Sequence, residues 1–112
     1  MTNLERLYEF IAVRDRKLVK AGHWHSNELK KTFDSLIQFG SINVGGRASC
    51  GPKVDATWRI YVMWKEVIKK AQALGFHIEV ESIKQKNAYA TIAGGFWQED
   101  KYILKQDMKE AA

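Results

Sequence analysis

The residues best suited to chemistry in this chain are basic side chains interleaved with aromatics. Trp58 and Val62 fall one turn apart on the outer side of a strongly helical stretch, beside Lys65 and Lys69. Lysine and arginine gather phosphate contacts, and an exposed tryptophan can stack on a base. Arg14, Arg16, Lys17 and Lys20 form a second cluster in an earlier helical stretch. Lys30 and Lys31 lie on the next one, and Arg47 and Lys53 flank the only glycine-dense segment. With 18 Lys and Arg against 13 Asp and Glu, the formal charge of +5 favours a polyanionic partner. The competing reading is a solvated basic surface with Trp58 folded onto the residues before it. No RNP, KH or paired-cysteine zinc-finger pattern is present. A helix-turn-helix drawn through residues 26–40 fails, because the connection to the next helix is far too long.

Three other constellations carry weaker chemistry. Backbone amides of Gly45, Gly46 and Gly51, with Arg47, Lys53 and a following helix start, would suit a phosphate. The spacing matches neither a P-loop nor a dinucleotide fingerprint, and Asp55 puts a carboxylate where the anion would sit. An ordinary structural turn explains the same residues. Cys50 near Arg47 and Lys53, with His23 or His25 as base, could form an activated thiolate. A lone cysteine also serves as a small buried hydrophobe. His23 and His25 with Cys50 or His77, or His77 with Glu79 and Glu81, could ligate a metal. Both sets lack the close paired spacings of zinc sites. No cofactor is implied.

Length and composition set the frame. At 112 residues one domain is expected, burying about two-thirds of the surface its unfolded chain exposes. A hydrophobic content of 46%, with four Trp, five Phe and four Tyr, is ample for a core. No apolar run approaches the ~18–20 residues of a membrane span, and the start MTNLERLYEF lacks a signal-peptide apolar region. The single cysteine rules out an internal disulfide and fits a reducing cytoplasm.

The elements that must position these side chains follow from periodicity. In residues 55–74, Ile60, Tyr61, Met63, Trp64, Val67, Ile68, Ala71 and Leu74 gather on one arc at about 100° per residue. Asp55 is suited to the N-cap and Gly75 to the C-terminal stop. Thr2 and Glu5 form a capping-box pattern opening a helix over residues 3–21, with Leu4, Leu7, Tyr8, Ile11, Leu18 and Val19 at helical spacing. Asp15 interrupts that stripe. A helix that breaks or surfaces near Val13 would leave it in water; a buried ion pair is the next reading, and a catalytic carboxylate the last.

Ser26 is suited to cap a second helix over residues 27–39, with Leu29, Phe33, Leu36 and Ile37 on one face and Gly40 as its stop. Residues 41–54 read as a glycine-rich loop, or as a short strand at Ile42 and Val44 followed by a turn. Strands are expected at about residues 76–83, where Phe76, Ile78 and Val80 alternate with polar residues, and at 88–93. Residues 101–105 read as a third strand, or as part of a terminal helix, followed by a frayed tail over 106–112.

The predicted fold is therefore α+β, three helices on a two- or three-stranded antiparallel sheet near the C-terminus. The expected function is non-enzymatic binding of nucleic acid through Arg14, Arg16, Lys17, Arg47, Lys53, Trp58, Lys65 and Lys69. The alternative is a protein-interaction module or inhibitor. An enzyme or metal site built on Cys50 with His23 and His25 ranks third. The sequence does not set the oligomeric state.

Overall fold

The computed structural model describes residues 2–21, 27–49, 56–86 and 95–105, with the backbone alone for 47–49, 56–57, 84–86 and 95–97. The architecture is α+β. Among the described residues it comprises α1 (Asn3–Lys20), α2 (Glu28–Phe39), β1 (Ser41–Ser49), α3 (Ala56–Ala73), β2 (Ile78–Lys86) and β3 (Gly95–Leu104). The three strands form one antiparallel sheet in the order β1-β3-β2.

The capping box at the start of α1 is complete. The Glu5 amide donates to Thr2 Oγ1 at 3.1 Å, and the Thr2 amide donates to Glu5 Oε1 at 3.0 Å. The helix then runs unbroken to Lys20, so the break expected near Val13 does not occur. Asp15 is only 5% exposed, and among the described residues it pairs with neither Arg nor Lys. Its Oδ1 accepts from the Leu29 amide at 2.9 Å and its Oδ2 from the Lys30 amide at 3.2 Å. Those amides belong to the first turn of α2, whose donors have no partners within the helix. Asn27, the residue before α2, sits in the left-handed region at φ 61° and makes no side-chain cap. Asp15 thus caps α2 from a different helix, and this pairing offsets the cost of burying its charge.

Gly40 and Gly75 end α2 and α3 at φ 80° and 101°, the left-handed stop that favours glycine. On α3 the apolar arc is buried as its spacing requires: Tyr61, Trp64, Val67, Ile68 and Ala71 are covered, with Ile60, Met63 and Leu74 half-buried. Trp64 is fully enclosed, edge-to-face with Tyr102 at 5.6 Å between centroids and tilted against Phe33 at 6.3 Å. One core joins Leu7, Ile11 and Leu18 of α1, Leu29, Phe33 and Leu36 of α2, the α3 arc and the inner face of the sheet.

The stretch expected as a loop is a strand over 41–49, with 50–54 outside the described residues. β1 pairs with β3 along its whole length, from Ser41 opposite Ile103 to Ser49 opposite Gly95. Ile42, Val44 and Gly46 take the core side at period two, and cross-strand hydrogen bonding holds the glycines extended. β2 begins at Ile78 rather than Phe76 and continues to Lys86, with an irregularity between Ser82 and Lys84. β3 is longer than the expected 101–105 and forms the centre of the sheet. The strand expected at 88–93 and the tail at 106–112 lie outside the described residues.

Cross-strand partners share a face, so Ile78, Val80 and Ser82 of β2 point the same way as Leu104, Tyr102 and Asp100 of β3. That face carries the helices. α3 packs chiefly on β1 and barely reaches β2. Ile78 is consequently buried, while Val80 is 47% exposed and Ser82 lies open. The uncovered strip beside α3 forms a concavity on this side of the sheet.

Candidate binding groove

The concavity has a volume of about 760 Å³ and runs between α3 and β2, over β3. Its helical wall is Trp58, Tyr61, Val62, Lys65, Glu66 and Lys69; its sheet wall and floor are Val80, Ser82, Gln98 and Asp100. The wall follows from helix geometry, because residues three and four apart occupy one face. Trp58 is half-buried, with its ring 4.8 Å from that of Tyr61 and tilted by 32°. Lys65 Nζ lies 5.3 Å from the centroid of the Tyr61 ring. Val62 is 41% exposed and, with Val80, contributes apolar surface to the groove.

The floor is a closed polar network. Asp100 is 5% exposed; its Oδ2 accepts from Tyr61 Oη at 2.7 Å and its Oδ1 from Gln98 Nε2 at 3.0 Å. Gln98 Nε2 also donates to Ser82 Oγ at 2.8 Å. A buried carboxylate needs such donors to remain charged. Burial, followed by the bond and charge of Asp100, pushes the Tyr61 phenol well above its ordinary value. Burial and the charge of Asp100 act on Tyr102 in the same direction. Tyr102 Oη finds no partner at hydrogen-bonding geometry among the described residues.

Of the residues singled out by sequence, Trp58, Lys65 and Lys69 converge on this groove. Arg14 does not. Its guanidinium pairs with Glu66 at 3.4 Å and lies 4.7 Å from the Phe10 ring centroid, so it braces α1 against α3. Arg16 and Lys17 are exposed and line a separate depression of about 550 Å³ with Val13, Val19, Lys20 and Asn27. The backbone of Arg47 pairs opposite Trp97 in β1. Lys53, Cys50, His23 and His25 lie outside the described residues, as do Gly51, Ser26 and Asp55.

Of the glycines considered for a phosphate cradle, only Gly45 and Gly46 fall within the described residues. Gly45 and Gly46 lie extended opposite Glu99 and Gln98 instead of wrapping an anion. His77 is exposed, and its neighbour Glu79 pairs with Lys105 at 3.0 Å. Among the described residues no group of three His, Cys, Asp or Glu is placed to hold a metal ion. No described helix is long and apolar enough to cross a membrane.

Sequence reasoning missed Asp100, Gln98, Ser82 and Tyr61 as site residues. The signal for Asp100 was period two: Gln98, Asp100, Tyr102 and Leu104 share a face once β3 is extended back beyond residue 101. Comparison with known proteins adds no functional assignment: no family model, curated protein or solved structure matches this chain.

Proposed function

We propose that this protein binds single-stranded nucleic acid without turnover, using the groove between α3 and β2. The observation that carries the reading is the convergence of Trp58, Lys65 and Lys69 on one concavity, with Trp58 against Tyr61. Stacking on an aromatic face tolerates any base, and lysines one turn apart match a backbone of regularly spaced phosphates. The net charge of +5 adds a general attraction for polyanions. Glu66 and Asp100 in the lining repel phosphate from the groove's interior. They favour a strand whose bases enter and whose phosphates stay at the rim. Arg16 and Lys17 supply a second basic patch for a strand that extends beyond the groove. Binding requires no cofactor, and the lone cysteine suits a cytoplasmic setting.

The second reading, a protein-interaction module, draws on exposed Val62 and Val80, an apolar pair suited to a partner's side chains. Fluorescence anisotropy with a labelled single-stranded oligonucleotide, titrated from low to physiological salt, separates the two. Phosphate contacts make affinity fall steeply as salt rises. Absence of oligonucleotide binding even at low salt refutes the nucleic-acid reading. A pull-down that retains a specific protein after nuclease treatment and at high salt then favours the interaction module.

A further inference from the structure

We infer that the open edge of β1 is a self-pairing surface, where a second copy of this chain adds its own β1 antiparallel to the first. The strand order β1-β3-β2 leaves β1 at one edge of the sheet, and among the described residues no strand pairs with its outer side. The phase of the ladder fixes which backbone groups that edge presents. The Leu104 amide donates to the Gly40 carbonyl at 2.8 Å, so Gly40 and Leu104 form a hydrogen-bonded pair. Such pairs alternate along an antiparallel ladder, so Ile42, Val44, Gly46 and Ala48 turn their main-chain groups toward β3. Ser41, Asn43, Gly45, Arg47 and Ser49 turn theirs away from it. Asn43 is exposed and Gly45 half-buried, so the edge is open to an incoming strand.

The occupant follows from symmetry. With Gly45 of one copy opposite Gly45 of the other, Asn43 faces position 47 and Ser41 faces position 49 of the copy. In that register every outward-turned residue of β1 meets another, and the two exchange N–H and C=O bonds. Any other two-fold register leaves outward groups of β1 unpaired. The two-fold axis passes through a glycine, and the one charged residue of β1, Arg47, falls opposite the uncharged Asn43. The other edge is built differently. β2 has an irregularity between Ser82 and Lys84 and carries Lys84 and Lys86, devices that discourage edge pairing. Phe39, 69% exposed, lies two residues before Ser41, where the far end of the paired strand arrives. The groove lies against β2 at the opposite edge, so self-pairing leaves it open and stands apart from its ligand.

Sedimentation equilibrium of the full chain, from micromolar to millimolar concentration, is the first test. The weight-average mass is expected to rise from 12.9 kDa towards twice that value. Asn43→Pro removes an N–H that makes no ladder bond within the protomer, a place where sheets tolerate proline, and is expected to stay at the monomer mass. Asn43→Ala keeps the N–H and is expected to dimerise like wild type. Hydrogen exchange on the wild type needs no variant to fold. The Asn43, Gly45 and Arg47 amides should exchange fast in dilute protein and slowly in concentrated protein, while those of Val44 and Gly46, bonded to β3, are protected in both. A protein that is monomeric at every concentration overturns the inference. So does a dimer in which those three amides still exchange fast, or one that persists in a folded Asn43→Pro protein. Protection of the three amides in the monomer also overturns it, because a segment of the same chain then occupies the edge.

Discussion

Asp15→Ala tests the most unexpected contact in the fold. The substitution removes the carboxylate that accepts from the Leu29 and Lys30 amides at 2.9 and 3.2 Å. No local cap replaces it, because Asn27 makes no side-chain cap. Loss of an N-cap costs about 0.5–2 kcal/mol, and leaving a buried donor unsatisfied costs about 1–3 kcal/mol. The Leu29 bond is buried and the Lys30 bond only partly so, and the two costs overlap. A destabilisation of about 2–3 kcal/mol is expected. Asp15→Asn keeps one acceptor oxygen and should lose roughly half as much. Urea unfolding provides the assay, read as a lower midpoint at unchanged slope. Hydrogen exchange should show the Leu29 and Lys30 amides opening first. An Asp15→Ala protein within about 0.5 kcal/mol of wild type, the range of a surface substitution, would refute the capping role.

Three further outcomes follow from packing, ionisation and backbone geometry. Trp64→Ala should cost roughly 3–5 kcal/mol, since the ring is fully enclosed between Phe33 and Tyr102; an unchanged melting temperature would contradict that placement. Tyr8, Tyr61 and Tyr102 are all held protonated beyond the ordinary tyrosine value of 10.0, chiefly by burial. Their contribution is fully present below that value and is lost as pH rises through the higher folded-state values, so denaturant midpoints should fall above pH 10 and stay level from pH 7 to 9. Gly75→Ala meets no atom within 4 Å but must hold φ 101°, so its cost, about 1 kcal/mol in thermal unfolding, should come from backbone strain alone.

Local information made the helices legible. The arc of α3, the Thr2–Glu5 box and the stops at Gly40 and Gly75 each depend on residues within a few positions of one another. The same is true of Trp58, Lys65 and Lys69, which share a face because they sit on one helix. β1 was obscured because Gly45-Gly46 looks like a turn until a distant partner, residues 95–104, hydrogen-bonds to it. Asp15 was misjudged because its partners are main-chain amides of another helix, which leave no trace in side-chain spacing. Asp100, Gln98 and Ser82 enter the groove only after β2 and β3 pair and α3 leaves β2 uncovered. That is a property of the assembled layers rather than of any segment.

The central claim is that the groove lysines neutralise phosphates while Trp58 stacks. Its most direct test is the salt dependence of single-strand affinity for wild type, Lys65→Ala/Lys69→Ala and Trp58→Ala. The double lysine variant should flatten the plot of log affinity against log salt by about 1.4, or about 0.7 for each phosphate no longer neutralised. Trp58→Ala should weaken binding by about 1–3 kcal/mol with the slope kept. Wild-type slope and affinity in the lysine variant, with its fold intact, would contradict the account.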